Sequence, residues 1–251
     1  MTTVRATLVT IVSLYGPKTG PLGDLLAAVQ GTAAEVLGPA FCPYPQAQVH
    51  GTLFVLGGYR AAAGEVINEH YLELRGERHA MDFGLAQRLV LDQLAEPLAI
   101  RIGGFGPAGP APFTSQGRLL PERSFSAQAG RSLVLMGWPA AALASAGRCQ
   151  PLDALRRSMA AAGVLHRYHA GPGDVDDDFH LVVGHYAAET EPGRVQRAVV
   201  AVREYLAAHP VDVLVGPDQV RLLAADSPTL AAPWFSSKLP VDPGVVARLY
   251  R

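Results

Sequence analysis

Gln48-Val49-His50-Gly51-Thr52-Leu53-Phe54-Val55-Leu56 is the stretch on which the reading of this chain turns. It alternates, lacks proline and is rich in branched and aromatic residues, the pattern of a β-strand whose successive side chains point to opposite faces. Strict alternation puts His50, Thr52 and Phe54 on one face. A histidine two residues before a threonine sets a proton-transfer group beside a hydroxyl donor, a pairing suited to phosphate chemistry.

Working outward, residues 4–14 read as a buried strand ended by Tyr15-Gly16-Pro17, and residues 24–37 carry apolar side chains at helical spacing until Gly38-Pro39 stops them. Beyond Gly57-Gly58 the chain turns polar, with His70, Glu73, Glu77 and His79 in a segment that reads as a helix and a surface insertion able to cover a cleft. A helix over 83–94 and a strand over 98–102 follow. Gly103-Gly104-Phe105-Gly106 opens a proline-rich run to Pro112 and no helix, so it reads as a turn and a lobe boundary, not a dinucleotide fingerprint.

The second half repeats this order of elements. Residues 131–138 read as a strand, 152–162 as an amphipathic helix, 179–183 as a strand, 195–208 as a helix, and 211–215 and 219–223 as strands. The interval from Arg131 to His180 is close to that from Arg5 to His50. The chain therefore reads as a duplication, with one histidine on the corresponding strand of each half. Two imidazoles across one cleft suit phosphodiester cleavage, because one can deprotonate the attacking group while the other protonates the leaving oxygen.

Composition narrows the field. The 251 residues are enough for one two-lobed domain with a real core, and 49% are hydrophobic. With 21 basic against 22 acidic residues the formal charge is -1, which gives no field for steering onto duplex DNA; a small nucleotide or a short strand end fits better. No apolar run is long enough for a membrane span. Cys42 and Cys149 form neither a metal pattern nor a disulfide framework, read as ordinary buried residues, and fit a reducing cytoplasm.

With these residues in view, the chain resembles the 2H phosphoesterase superfamily, which includes the bacterial RNA 2',3'-cyclic phosphodiesterases also called 2'-5' RNA ligases. The signature is a repeated His-x-Thr/Ser flanked by hydrophobic residues, and His50-Gly51-Thr52-Leu53 matches it in full. His180-Leu181-Val182-Val183 keeps the histidine and the apolar strand but has Val182 where the hydroxyl belongs. The likeness spans most of the chain; the interval between the histidines is wider than the family's, and residues 68–81 and the proline-rich connection absorb the excess.

The resemblance implies an α+β, two-lobed duplicated fold: antiparallel sheets facing a central cleft, helices outside, one domain over residues 1–251 with approximate halves 1–110 and 125–251. It implies a phosphodiesterase acting on a 2',3'-cyclic phosphate or related diester of a nucleotide or RNA end. His50 and His180 would be the catalytic acid and base in either order, with Thr52 holding the phosphate and no cofactor or metal. The missing hydroxyl at Val182 leaves one alternative, a catalytically weakened nucleotide- or RNA-end-binding protein of the same fold.

Other candidates read more plainly. Asp176-Asp177-Asp178, near His169 and His180, hints at a metal site, but adjacent carboxylates in a Gly/Pro loop are expected to face solvent. Trp138 and Phe54 read as core. Tyr15, Arg60, Ser236, Ser237 and Lys238 are loop positions from which a ligand contact is conceivable, and His185-Tyr186-Ala187 also lacks the hydroxyl of a second motif.

Overall fold

A computed structural model describes residues 8–106, 113–227 and 229–250. In chain order its elements are β1 (Leu8–Ser13), α1 (Pro21–Leu37), β2 (Phe41–Pro43) and β3 (Gly51–Val55), then the hairpin β4 (Gly58–Arg60) and β5 (Val66–Asn68), α2 (Glu69–Arg75), α3 (Phe83–Gln93) and β6 (Leu98–Ile102). A small hairpin of β7 (Thr114–Ser115) and β8 (Arg118–Leu119) leads to α4 (Leu120–Arg123), β9 (Phe125–Ala127), β10 (Ser132–Pro139), α5 (Ala140–Ala144) and α6 (Pro151–Ser158). The chain closes with β11 (Phe179–Tyr186), α7 (Pro192–Ala208), β12 (Val211–Val215), β13 (Val220–Ala225), β14 (Phe235–Lys238) and α8 (Pro243–Arg248). The expected strand start before Leu8 and the proline-rich run over 107–112 lie outside the described residues.

The fold is α+β and antiparallel, as expected. One sheet runs β12-β6-β10-β11-β3-β1-β13-β14, with β2 on β11 and β9 on β10. Its two wings meet at a single residue pair, Leu181 opposite Gly51. Helix α1 forms because Pro21 starts it, Leu22, Leu25, Leu26, Val29, Ala33 and Leu37 recur on one buried stripe, and Gly38 at φ 53 ends it. Helix α7 repeats the design with Val195, Ala198, Val199, Val202 and Leu206, and the two stripes share one core beneath both wings.

The wings do not follow the sequence halves 1–110 and 125–251. One wing takes β1 and β3 from the first half but β13 and β14 from the end of the chain; the other takes β6 from the first half and β10, β11 and β12 from the second. The order strand-helix-strand-helix-strand is as read, but β6 crosses over. At Gly103, φ 77 and the nearness of the Leu206 and His209 carbonyls leave no room for a side chain in the turn that follows it.

Register discloses the internal symmetry. Between β1 and β3 the pairing passes from Ile11↔Phe54 to Val12↔Thr52, leaving Leu53 as an extra residue. Between β10 and β11 it passes from Leu133↔Gly184 to Val134↔Val182, leaving Val183 extra. Each bulge follows the third position of a motif, after Thr52 and after Val182, and the wings join through the two middle residues, Gly51 and Leu181. Equivalent residues meeting at a junction is what a local two-fold axis requires.

Candidate active site

The bulge corrects one expectation. Ile11, Phe54 and Leu53 belong to the helix-covered core, whereas Val12, the partner of Thr52, belongs to a small separate cluster on the opposite face. Phe54 is thus turned away from Thr52, because one extra residue reverses the alternation. His50 and Thr52, which flank core-facing Gly51, remain on the face opposite the helix-covered core. The second motif behaves alike: Met136 pairs with His180 and Val134 with Val182, and both partners lie in a buried cluster with Trp138 on that same face.

The Gly51↔Leu181 pair then fixes the neighbours. In an antiparallel ladder the flanking positions bring Thr52 beside His180 and His50 beside Val182, so four motif side chains share one face at the junction. Gly51 is required there: a Cβ would stand 2.5 and 2.6 Å from Cε2 and Cε1 of Phe179, whose ring lies on it.

His50 is 8% exposed, and its Nδ1 sits 2.6 Å from the Gln48 carbonyl. A carbonyl only accepts, so Nδ1 carries the proton and the neutral ring presents Nε2 as its lone pair. Burial lowers its pKa, the Gln48 bond opposes that, and the Lys18 ammonium lowers it further. The Tyr15 ring lies 6.2 Å from it. His180 is half-buried, with the Tyr168 ring 6.4 Å away and 21° from parallel. Burial lowers its pKa too; Asp178 and Asp176 oppose this, while Arg156 and Arg123 reinforce it.

The aspartate run is not solvent-facing. Asp176, Asp177 and Asp178 are 1%, 5% and 2% exposed, because each has buried donors waiting for it. Asp178 accepts from Trp138 Nε1 and Ser115 Oγ, both at 2.6 Å, and pairs with Arg123. Asp177 Oδ1 accepts the Leu152 and Asp153 N–H groups at the start of α6, while its Oδ2 has no hydrogen-bond partner among the described residues. Burial outweighs those bonds and raises its carboxyl to about 6. Asp176 pairs with Arg156 at 3.0 Å and His166 at 2.7 Å. Burial would raise its carboxyl, but these partners hold it well below the usual range, while burial lowers His166 to about 4.

Arg156 links this cluster to the first motif. It donates to the Asp176 and Asp178 carbonyls at 2.8 and 3.0 Å, and to the Leu53 and Thr52 carbonyls at 3.4 and 3.3 Å. The signal was present in the sequence: Arg156 falls on the stripe Leu152, Leu155, Met159 of an amphipathic helix, where an apolar residue is expected.

The remaining candidates sort as follows. Arg60 clamps the Ala247 carbonyl near the C-terminus, His185 bonds the Tyr44 hydroxyl at 2.8 Å, and Ser237 bonds the Lys238 carbonyl. The polar insertion packs on residues 165–169, through His70 to the Leu165 carbonyl and Arg75 to the His169 carbonyl. Trp138 and Phe54 are core, but Cys42 and Cys149 are exposed, against expectation. Among the described residues no helix is long and apolar enough to cross a membrane.

No family model matches the chain, and no curated protein matches it. Among solved structures, the crystal structure of TT0787 of Thermus thermophilus is similar over 93% of this chain and 95% of its own, at 16% identity and a TM-score of 0.37.

Proposed function

We propose that this protein is a phosphodiesterase of the two-histidine type, acting on a 2',3'-cyclic phosphate or related diester of a nucleotide or RNA end. The observation that carries the reading is the junction itself: two histidines at equivalent positions beside the Gly51↔Leu181 pair, on the face opposite the helix-covered core, with Thr52 directly across from His180 in the register.

The local environments suggest the division of labour. His50, neutral and held through Nδ1 by Gln48, serves as general base: Nε2 takes a proton from water as its oxygen bonds to phosphorus. His180, whose protonated form the Asp178 and Asp176 carboxylates favour against the lowering by burial, serves as general acid: it passes its proton to the departing ribose oxygen as the P–O bond breaks. Thr52 donates to a non-bridging oxygen as charge builds there. Two imidazoles suffice for both proton transfers, so the mechanism invokes no metal.

Kinetics on 2',3'-cyclic nucleotides and short oligonucleotides test this. His50→Ala and His180→Ala should each lower kcat by roughly 10²–10⁴-fold; undiminished turnover in either variant removes that histidine from the mechanism. The second reading, a nucleotide or RNA-end binder with weak catalysis, draws on Val182, which packs against an apolar cluster and offers no donor. It is favoured if cyclic nucleotides raise the Tm without being consumed.

A further inference from the structure

A cavity of about 290 Å³ opens where β1 ends and β13 begins, lined by Tyr15, Lys18, Thr19, Asp218, Gln219 and Arg221 among others. It adjoins the histidine site, since Tyr15 contributes both to its wall and to the ring contact with His50. Lys18 is half-buried, its Nζ held 2.8 Å from the Gly16 carbonyl and 2.6 Å from the Gln46 carbonyl. An ammonium has three N–H groups, so one is left over.

Neither Lys18 nor Arg221 is within ion-pair distance of a carboxylate among the described residues. Burial without a counter-charge pulls the Lys18 ammonium down to about 8. Asp218 is the one acid on the wall among the described residues; its side chain is fully exposed and 4.0 Å from Lys238. Register places Arg221 in line with the site: Val12 pairs with Thr52 on one side and with Arg221 on the other, so Arg221 lies two strands from Thr52 on the same face. That is roughly 10 Å at the usual strand spacing, a gap an arginine side chain can close.

We propose that Lys18 and Arg221 form a second anion subsite, which takes a phosphate one group removed from the phosphate under attack, so that the preferred substrate is a nucleotide bearing two separate phosphates or the end of an RNA strand. The substrate part of this proposal rests on the phosphodiesterase reading; the anion subsite does not.

Titration calorimetry with adenosine 2'- and 3'-monophosphates and the matching 2',5'- and 3',5'-bisphosphates tests it. The bisphosphates should bind about tenfold tighter or better, and Lys18→Gln or Arg221→Gln should bring them down to the monophosphates. Equal affinity in the unaltered protein, or a gain that survives in the double variant, overturns the substrate preference.

Thermal stabilisation by inorganic pyrophosphate separates the two readings. A shift that disappears in Lys18→Gln but persists in His50→Ala upholds the subsite even if no nucleotide binds, in which case the phosphodiesterase reading alone fails. No shift in the unaltered protein overturns the subsite.

Discussion

Replacing Gly51 by alanine adds one methyl group at the seam between the wings. Its Cβ would lie closest of all to Cζ of the Phe179 ring and 2.5–2.6 Å from Cε2 and Cε1, against an ordinary contact of about 3.4 Å or more. The ring would have to retreat by more than about 1 Å to reach ordinary contact, yet Phe179 is 0% exposed and wedged in the shared core. Overpacking of this kind costs about 1–3 kcal/mol. For a chain of this length each kcal/mol lowers the Tm by about 2–4 °C, so a loss of about 2–12 °C is expected by calorimetry. Phe179 immediately precedes His180, and a displacement of about 1 Å at a catalytic group can cost on the order of 100-fold in rate. Gly51→Ala should therefore lose kcat on cyclic phosphates at temperatures where it is still folded. Combining it with Phe179→Leu gives the methyl group room, so the double variant should be less destabilised than the sum of the singles. A Gly51→Ala protein with unchanged Tm, or strict additivity in the double variant, would refute the proposition that glycine is demanded by Phe179.

Two more perturbations bear on the site. Asp177 has a native carboxyl raised to about 6 against 3.8 unfolded. Its contribution is therefore greatest below the unfolded value and is lost as pH rises through about 6, a change on the order of 3 kcal/mol. Asn at this position keeps the acceptor for the Leu152 and Asp153 N–H groups. Urea unfolding from pH 4 to 8 should show the original protein losing stability relative to Asp177→Asn across that window; parallel curves would contradict the argument. Val182→Thr, nearly isosteric, supplies the hydroxyl at the position equivalent to Thr52. Since one oxyanion donor is worth about 10²–10³ in rate, kcat should rise by about tenfold or more. A well-folded variant with no gain would mean that the phosphate does not contact that position.

The sequence carries the periodic features and misses those that depend on partners. Helices α1 and α7, the motif strands and the order of elements rest on apolar spacing, which local residues set by themselves. The bulges at Leu53 and Val183 change no residue pattern; they are defined by what lies across the ladder, so alternation alone puts Phe54 on the wrong face. The crossing of β6 into the other wing is likewise a property of pairing. The aspartate run looks solvated in the sequence because its burial depends on Arg123, Arg156, His166 and the start of α6, distant residues whose convergence no single window records. The two histidines and Thr52 are legible because motif and strand coincide there.

The buried charges have a geometric task that follows from the weakness of the junction. One residue pair between β3 and β11 is little to hold the two motif-bearing strands in register, since a ladder gains its precision from repeated pairing. Arg156 adds what the ladder lacks. It ties the carbonyls of Thr52 and Leu53 on one strand to those of Asp176 and Asp178 leading into the other, and the Asp176 carboxylate, itself bonded by His166, balances its charge. A hydrophobic residue of similar size would fill the same space and serve stability as well or better, because buried ion pairs repay their desolvation poorly. What it could not do is fix direction: a guanidinium satisfied by four carbonyls admits one relative placement of the two motifs. The network is thus best understood as setting where Thr52 stands relative to His180, and the dissimilarity of the two motifs leaves that placement with more to do, since Thr52 supplies the one motif hydroxyl.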